Sequence, residues 1–163
     1  MSLDDKLTRI FADNLGDLMI VSYIVLGNNA VTNRFIERTY QMPVHAWSSL
    51  YAIGKFPGIR AKEIKMIFPR PQNTISRAIS LLESRGYVRQ EPSAADGREK
   101  RVFATPAGLE ILAEMTEYSH KRQTELFSPL SEAERQVFFE LARKIAAGSH
   151  LLQFLQMLST ASI

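Results

Sequence analysis

The stretch Gln72-Asn73-Thr74-Ile75-Ser76-Arg77-Ala78-Ile79-Ser80-Leu81-Leu82-Glu83-Ser84-Arg85-Gly86 decides the fold. At about 100° per residue, Ile75, Ala78, Ile79 and Leu82 share one side of a helix. Asn73, Arg77, Ser80 and Ser84 fall opposite them, with Ser76 alongside. The apolar side must be the buried one. The other side carries only short polar side chains and one arginine. Such a face fits a major groove about 12 Å wide and can hydrogen-bond base edges there. Gly86 stands where a left-handed cap is wanted, so the helix is expected over residues 72–85.

Around this helix lie the other parts of a DNA-reading lobe. Upstream, Pro57-Gly58 is a turn, and Ile59, Ile64 and Ile67 mark a short helix with Lys62 and Lys65 exposed. Phe68-Pro69-Arg70-Pro71 interrupts it, because each proline bars helix continuation and restricts the residue before it. Downstream, strands are expected over residues 87–91 and 100–104, joined by the turn-forming run Pro92-Ser93-Ala94-Ala95-Asp96-Gly97. A hairpin of this kind carries Arg98, Lys100 and Arg101 to the narrow minor groove, and Asp96 can pair with Arg98 and fix its orientation. Arg70 and Gln72 lead into the long helix, whose N-terminus adds partial positive charge suited to a phosphate. The residues expected to touch DNA are therefore Arg70, Gln72, Asn73, Thr74, Ser76, Arg77 and Ser80, with Asp96, Arg98, Lys100 and Arg101 from the hairpin.

Charge supports this independently. Residues 55–101 hold 11 basic and 5 acidic side chains, a net of +6 in a chain whose total is +3. Residues 1–54 are at −1 and residues 102–163 at −2. A phosphate-facing surface needs so concentrated a field, and solubility alone does not.

The flanks are helical by pattern. Leu7, Ile10 and Phe11 repeat at helical spacing, as do Leu15, Leu18, Met19 and Ser22, with Gly16 a weak point where a short leading helix bends into a longer one. Asn28-Asn29 marks either a partner contact or a kink. Pro43 makes a natural first residue for the next helix, which has Trp47, Leu50, Tyr51 and Ile53 on its apolar side and Gly54 as its close. Thr105-Pro106 reads as a cap and first turn, opening a helix with Leu109, Leu112, Met115 and Leu126 that Pro129 ends. Ser131 and Glu134 form a capping box. The last helix sets Val137, Phe138, Leu141, Ile145, Leu152, Leu155 and Leu158 on a broad apolar stripe. In a chain of 163 residues that stripe has too little core of its own, so a second copy is expected to bury it.

Other classes fare poorly. The three histidines, His45, His120 and His150, fall on different expected helices, with no His-x-x-x-His pair, Gly-rich phosphate loop or serine elbow. No catalytic residue, cofactor or metal site is expected. Zero cysteines exclude disulfides and thiolate chemistry. The longest apolar run, residues 18–26, is about half of what a membrane helix needs. No leader pattern opens the chain, and a cytoplasmic location without membrane partners is expected.

Three runs carry a more specific resemblance: Leu81-Leu82-Glu83-Ser84-Arg85-Gly86-Tyr87-Val88-Arg89, then Asp96-Gly97-Arg98, then Thr105-Pro106-Ala107-Gly108. With Met42-Pro43, Trp47, Leu50, Ile64 and Ile67 upstream, the chain resembles the MarR family of bacterial transcriptional regulators over about residues 40–110. The turn at residues 68–71 is more proline-rich than is usual in that family. The resemblance implies a mainly α fold with a small β-wing, in which a winged helix–turn–helix lobe (residues 43–105) lies between dimerisation regions at 1–42 and 106–163. It also implies an obligate homodimer on a pseudo-palindromic operator, with binding relieved by a small ligand. The expected function is therefore a dimeric repressor of double-stranded DNA. An aromatic or phenolic effector would sit near His45, Trp47 and Tyr51, whose bland alternative is core and hinge packing. The competing class is a winged helix used as a protein-interaction module without its own operator. Such a module has no need of a basic central third.

Overall fold

The computed structural model describes residues 1–93 and 99–148, and divides into two units, Met1–Tyr118 and Ser119–Ile163. The helices are α1 (Leu3–Phe11), α2 (Gly16–Tyr40), α3 (Val44–Lys55), α4 (Ala61–Ile67), α5 (Gln72–Ser84), α6 (Pro106–Leu126) and α7 (Glu132–Ala147). The strands β1 (Val88–Pro92) and β2 (Lys100–Ala104) pair antiparallel, with Gln90 opposite Val102. No described helix is long and apolar enough to cross a membrane.

The core of the first unit gathers around α5. Ile75, Ala78, Ile79 and Leu82 are all buried, against Leu50 and Ile53 of α3, Ile64 of α4, and Val88 and Val102 of the hairpin. Ile36 and Met42 bring the end of α2 into this core, and Met115 brings α6. Burying each such side chain contributes roughly 1.5–3 kcal/mol, so this cluster dominates the lobe's stability.

Several boundaries differ from the sequence expectation, each for a local reason. Ile59 belongs to no helix: it bridges Val102 of β2, its carbonyl accepting from the Val102 amide, while Ile64 alone anchors α4. Ile67, the last residue of α4, is 44% exposed. Pro43 is the cap of α3 and not its first residue. Gly54 does not close α3, which continues to Lys55. Instead Gly54 permits close packing, since a Cβ there would lie 2.4 Å from Leu112 Cδ2 of α6. Helix α2 runs through Asn28-Asn29 without interruption, and Asn28 Oδ1 accepts from the Thr32 hydroxyl at 3.4 Å. The bend expected at Gly16 is present, between α1 and α2.

The junction after the hairpin shows why Thr105-Pro106-Ala107-Gly108 has those residues. Thr105 Oγ1 accepts from the Gly108 amide at 3.1 Å, capping α6, and donates to the Gly86 carbonyl at 2.6 Å. The Thr105 amide donates to the Tyr87 carbonyl at 3.0 Å. Helix α6 thus starts pressed against the entry to β1. A Cβ on Gly108 would fall 1.9 Å from the Tyr87 carbonyl oxygen.

In the second unit, Ser131 and Glu134 form the expected reciprocal capping box at the start of α7. Phe127, Phe138 and Phe139 pack together, with the Phe127 and Phe139 ring centroids 4.7 Å apart. Val137, Phe138, Leu141 and Ile145 stand exposed on α7, as the stripe pattern requires of a single chain. Leu152, Leu155 and Leu158 lie outside the described residues.

Gly108→Ala is expected to lower stability by about 1–3 kcal/mol, as an overpacked backbone contact does. Chemical denaturation measures this. A variant as stable as the parent would show that the α6–β1 approach is looser than its geometry indicates.

Candidate nucleic-acid interface

Helix α5 presents the surface. With Ile75, Ala78, Ile79 and Leu82 turned inward, Gln72, Asn73, Ser76, Arg77 and Ser80 are exposed and Thr74 is half-buried. The Ser76 hydroxyl donates to the Gln72 carbonyl at 3.1 Å, a bond within the helix that leaves its outer face free. Pro71 caps the helix without a side-chain bond, and its carbonyl accepts from the Thr74 amide at 3.0 Å. Arg70 is exposed just ahead of them.

The wing is clasped to the turn before α4. The Gly58 amide donates to Val102 O at 2.9 Å, and the Val102 amide donates to Ile59 O at 3.1 Å. Gly58 has φ +82°, a conformation that favours glycine, and its missing Cβ makes room for the Phe103 ring. Side chains reinforce the clasp. Arg60 Nη1 reaches Glu99 Oε2 at 2.9 Å and Arg60 Nη2 reaches Glu63 Oε1 at 2.9 Å, while Lys62 pairs with the other oxygen of Glu99. The Arg60 guanidinium holds the Glu63 carboxyl down at about 2, and Lys62 with Arg60 lowers that of Glu99. Near the hairpin end the Ser93 amide donates to Glu99 O at 2.8 Å. Asp96 and Arg98 lie outside the described residues, whereas Lys100 and Arg101 are exposed on β2.

These contacts sort the cations of the middle third. Arg60 and Lys62 are held by carboxylates, and Arg89 pairs with Glu91 and lies over the Phe103 ring. Arg85 donates to the carbonyls of Tyr40 and Gln41. Lys65, Arg70, Arg77, Lys100 and Arg101 have no carboxylate partner among the described residues. Composition could not separate these groups, because Glu99, the carboxylate that Arg60 and Lys62 share, is 39 and 37 residues away.

The three residues expected at an effector site do not share a face of α3. Trp47 and Tyr51 stack, ring centroids 5.6 Å apart and 25° between planes. His45 is on another side of the helix, and burial followed by the nearby Arg70 charge lowers its pKa. Its carbonyl accepts from the Ser49 hydroxyl at 2.8 Å and the Ser48 hydroxyl at 3.2 Å.

A short broken-off helix, a second helix with a polar outer face, and a clasped two-stranded hairpin define a winged helix–turn–helix protein. A family model described as "MarR family" matches residues 40–99. The transcriptional regulator HosA of Escherichia coli O157:H7 is 30% identical over 99 residues, which cover 61% of this chain and 73% of HosA. Two solved structures share the fold. BpsR of Bordetella bronchiseptica, whose DNA binding is regulated by 6-hydroxynicotinic acid, has a TM-score of 0.73 at 21% identity, covering 85% of this chain and 97% of its own. Apo MarR from E. coli has a TM-score of 0.66 at 19% identity, covering 82% and 96%. The chain belongs to the MarR family of winged helix–turn–helix transcriptional regulators.

The low pKa of Glu63 gives a pH test. Its folded value lies below the ordinary 4.5, so its stabilising contact is fully present above 4.5 and is lost as pH falls through about 2. In denaturant melts, the advantage of the parent over Glu63→Gln should shrink as pH falls across that window. An advantage that stays constant down to the acid limit would mean Glu63 and Arg60 are not paired in solution.

Proposed function

We propose that this chain is a homodimeric cytoplasmic repressor that grips a pseudo-palindromic operator with two copies of the α5–wing surface. The observation that carries this reading is the outer face of α5. Its short polar side chains and Arg77 project from a helix whose other side is locked into the core, and Lys65, Arg70, Lys100 and Arg101 are exposed without carboxylate partners among the described residues. In this reading Asn73, Thr74, Ser76, Arg77 and Ser80 meet base edges in the major groove, and Arg70 and Gln72 meet phosphate. Arg98, oriented by Asp96, enters the minor groove with Lys100 and Arg101 beside it.

Dimerisation is assigned to residues 1–42 and 106–163, and DNA binding to residues 43–105. Exposed apolar side chains support the division. Leu18, Val21, Val25 and Leu26 of α2 are each at least 50% exposed in a single chain, as are Val137, Leu141 and Ile145 of α7. Helix faces this apolar are covered in a stable protein, and a second copy is the partner a symmetric regulator supplies.

The proposed effector is a small aromatic or phenolic acid, received at the Trp47–Tyr51 stack, with His45 on a different side of α3. The 6-hydroxynicotinic acid that regulates BpsR is of this chemical class. Isothermal titration calorimetry with hydroxybenzoic and hydroxynicotinic acids should show binding that Trp47→Ala abolishes. No heat from the whole panel would remove the effector from the proposal.

The DNA reading is tested by fluorescence anisotropy on the duplex upstream of the chain's own coding sequence. Binding should weaken linearly in log–log form as salt rises, because phosphate contacts release counterions. Asn73→Ala and Arg77→Ala should each reduce discrimination between operator and random duplex by about 1–3 kcal/mol. Arg98→Ala and Lys100→Ala should instead weaken binding to all duplexes. A chain that bound no promoter fragment even in dilute buffer would favour the interaction-module reading.

A further inference from the structure

The end of α5 is tied to the end of α2. Arg85, the cap of α5, donates from Nη1 to the Tyr40 carbonyl at 2.8 Å and from Nη2 to the Gln41 carbonyl at 2.6 Å. These are the last carbonyls of a 25-residue helix, which no amide of its own can satisfy. Gln41 caps α2 in the left-handed region at φ 50°, the one positive-φ non-glycine residue among those described. The next residue, Met42, is buried in the core at 2% exposure. On the other side of the corner, the Tyr40 hydroxyl donates to Glu114 Oε1 of α6 at 3.1 Å, and burial with that carboxylate pushes the phenol up to about 12.

The chain therefore leaves α2 through a strained turn held by a planar fork from the recognition helix. A guanidinium can bond both carbonyls at once in fixed geometry, and a lysine ammonium, a single point on a flexible stem, cannot hold that angle. Helix α5 cannot tilt alone, because its buried stripe moves with the whole lobe. Ile36 and Met42 pack the end of α2 into the same core, and the Arg85 fork sets the angle at which the lobe stands on that packing. Helix α5 has 13 residues, about 20 Å of length, so a tilt of roughly 10° at Arg85 shifts its far end by about 3 Å, close to one base-pair step.

The geometry points to Arg85 as a positioning residue that sets the angle at which each copy presents α5, and so the half-site spacing the dimer accepts. This rests on the proposed dimeric DNA reading. The side chain itself does not touch DNA, since both terminal nitrogens are engaged with α2.

The test uses the full chain and a panel of duplexes carrying the operator half-sites at native spacing and with one base pair added or removed between them. Wild type should prefer native spacing by about tenfold or more. In Arg85→Met and Arg85→Lys that preference should fall to about threefold or less, with affinity for random duplex held within about twofold. Circular dichroism melts identify folded variants, and Arg85→Lys carries the test if the methionine variant does not fold. Wild-type ranking retained across the panel, with only a lowered melting point, would overturn the inference and leave Arg85 a plain helix cap. A wild-type chain that bound none of the duplexes would overturn the DNA reading, and this inference with it.

Discussion

Burial of Ile75, Ala78, Ile79 and Leu82 against α3 and α4 leaves α5 no freedom to rotate about its own axis. A third of a turn would bring at least two of these side chains to water, at a cost of roughly 3–6 kcal/mol. One bidentate base contact is worth about 1–3 kcal/mol. The core therefore decides which face looks outward, and a ligand on that face must accept it. This is what a reading helix requires, because a polar face that could roll would present a different set of donors at each encounter.

The wing depends on the same core, one step removed. Val102 is buried beside Ile59, and its amide donates to the Ile59 carbonyl while its carbonyl accepts from the Gly58 amide, in the turn before α4. Exposed ion pairs are screened by solvent, so Arg60, Lys62, Glu63 and Glu99 orient the hairpin more than they hold it. Their larger consequence is electrostatic. They neutralise two cations and leave Lys100 and Arg101, on β2, as the wing's uncompensated charge among the described residues.

The period of α5, the capping box of α7, the turn at Pro57-Gly58 and the α1–α2 break at Gly16 were legible because each depends on residues within one or two helical turns. What sequence could not show are contacts set by tertiary approach. Ile59 has helical spacing to Ile67 but pairs with a strand 43 positions later. Gly54 looks like a terminator and is a packing notch for Leu112. Arg85 and Glu99 look like two more members of a charged stretch, yet one caps α2 across 44 and 45 residues and the other straps the wing. His45, Trp47 and Tyr51 are neighbours in sequence whose side chains divide between two sides of α3.

The motif that marks the family is largely structural chemistry. Gly86 supplies a left-handed turn, Thr105 caps α6 while bonding Gly86, Gly108 lets α6 touch β1, and Leu82 and Val88 fill the core. None of these residues has a side chain available to a duplex. Family membership therefore fixes where the polar face of α5 and the wing stand, while the residues proposed to choose a DNA sequence, Asn73, Ser76, Arg77 and Ser80, are ones the fold does not need. Since they bury nothing, they can change without cost to the core. In the reading proposed above, the operator can therefore change through a few exposed positions while the fold stays as it is.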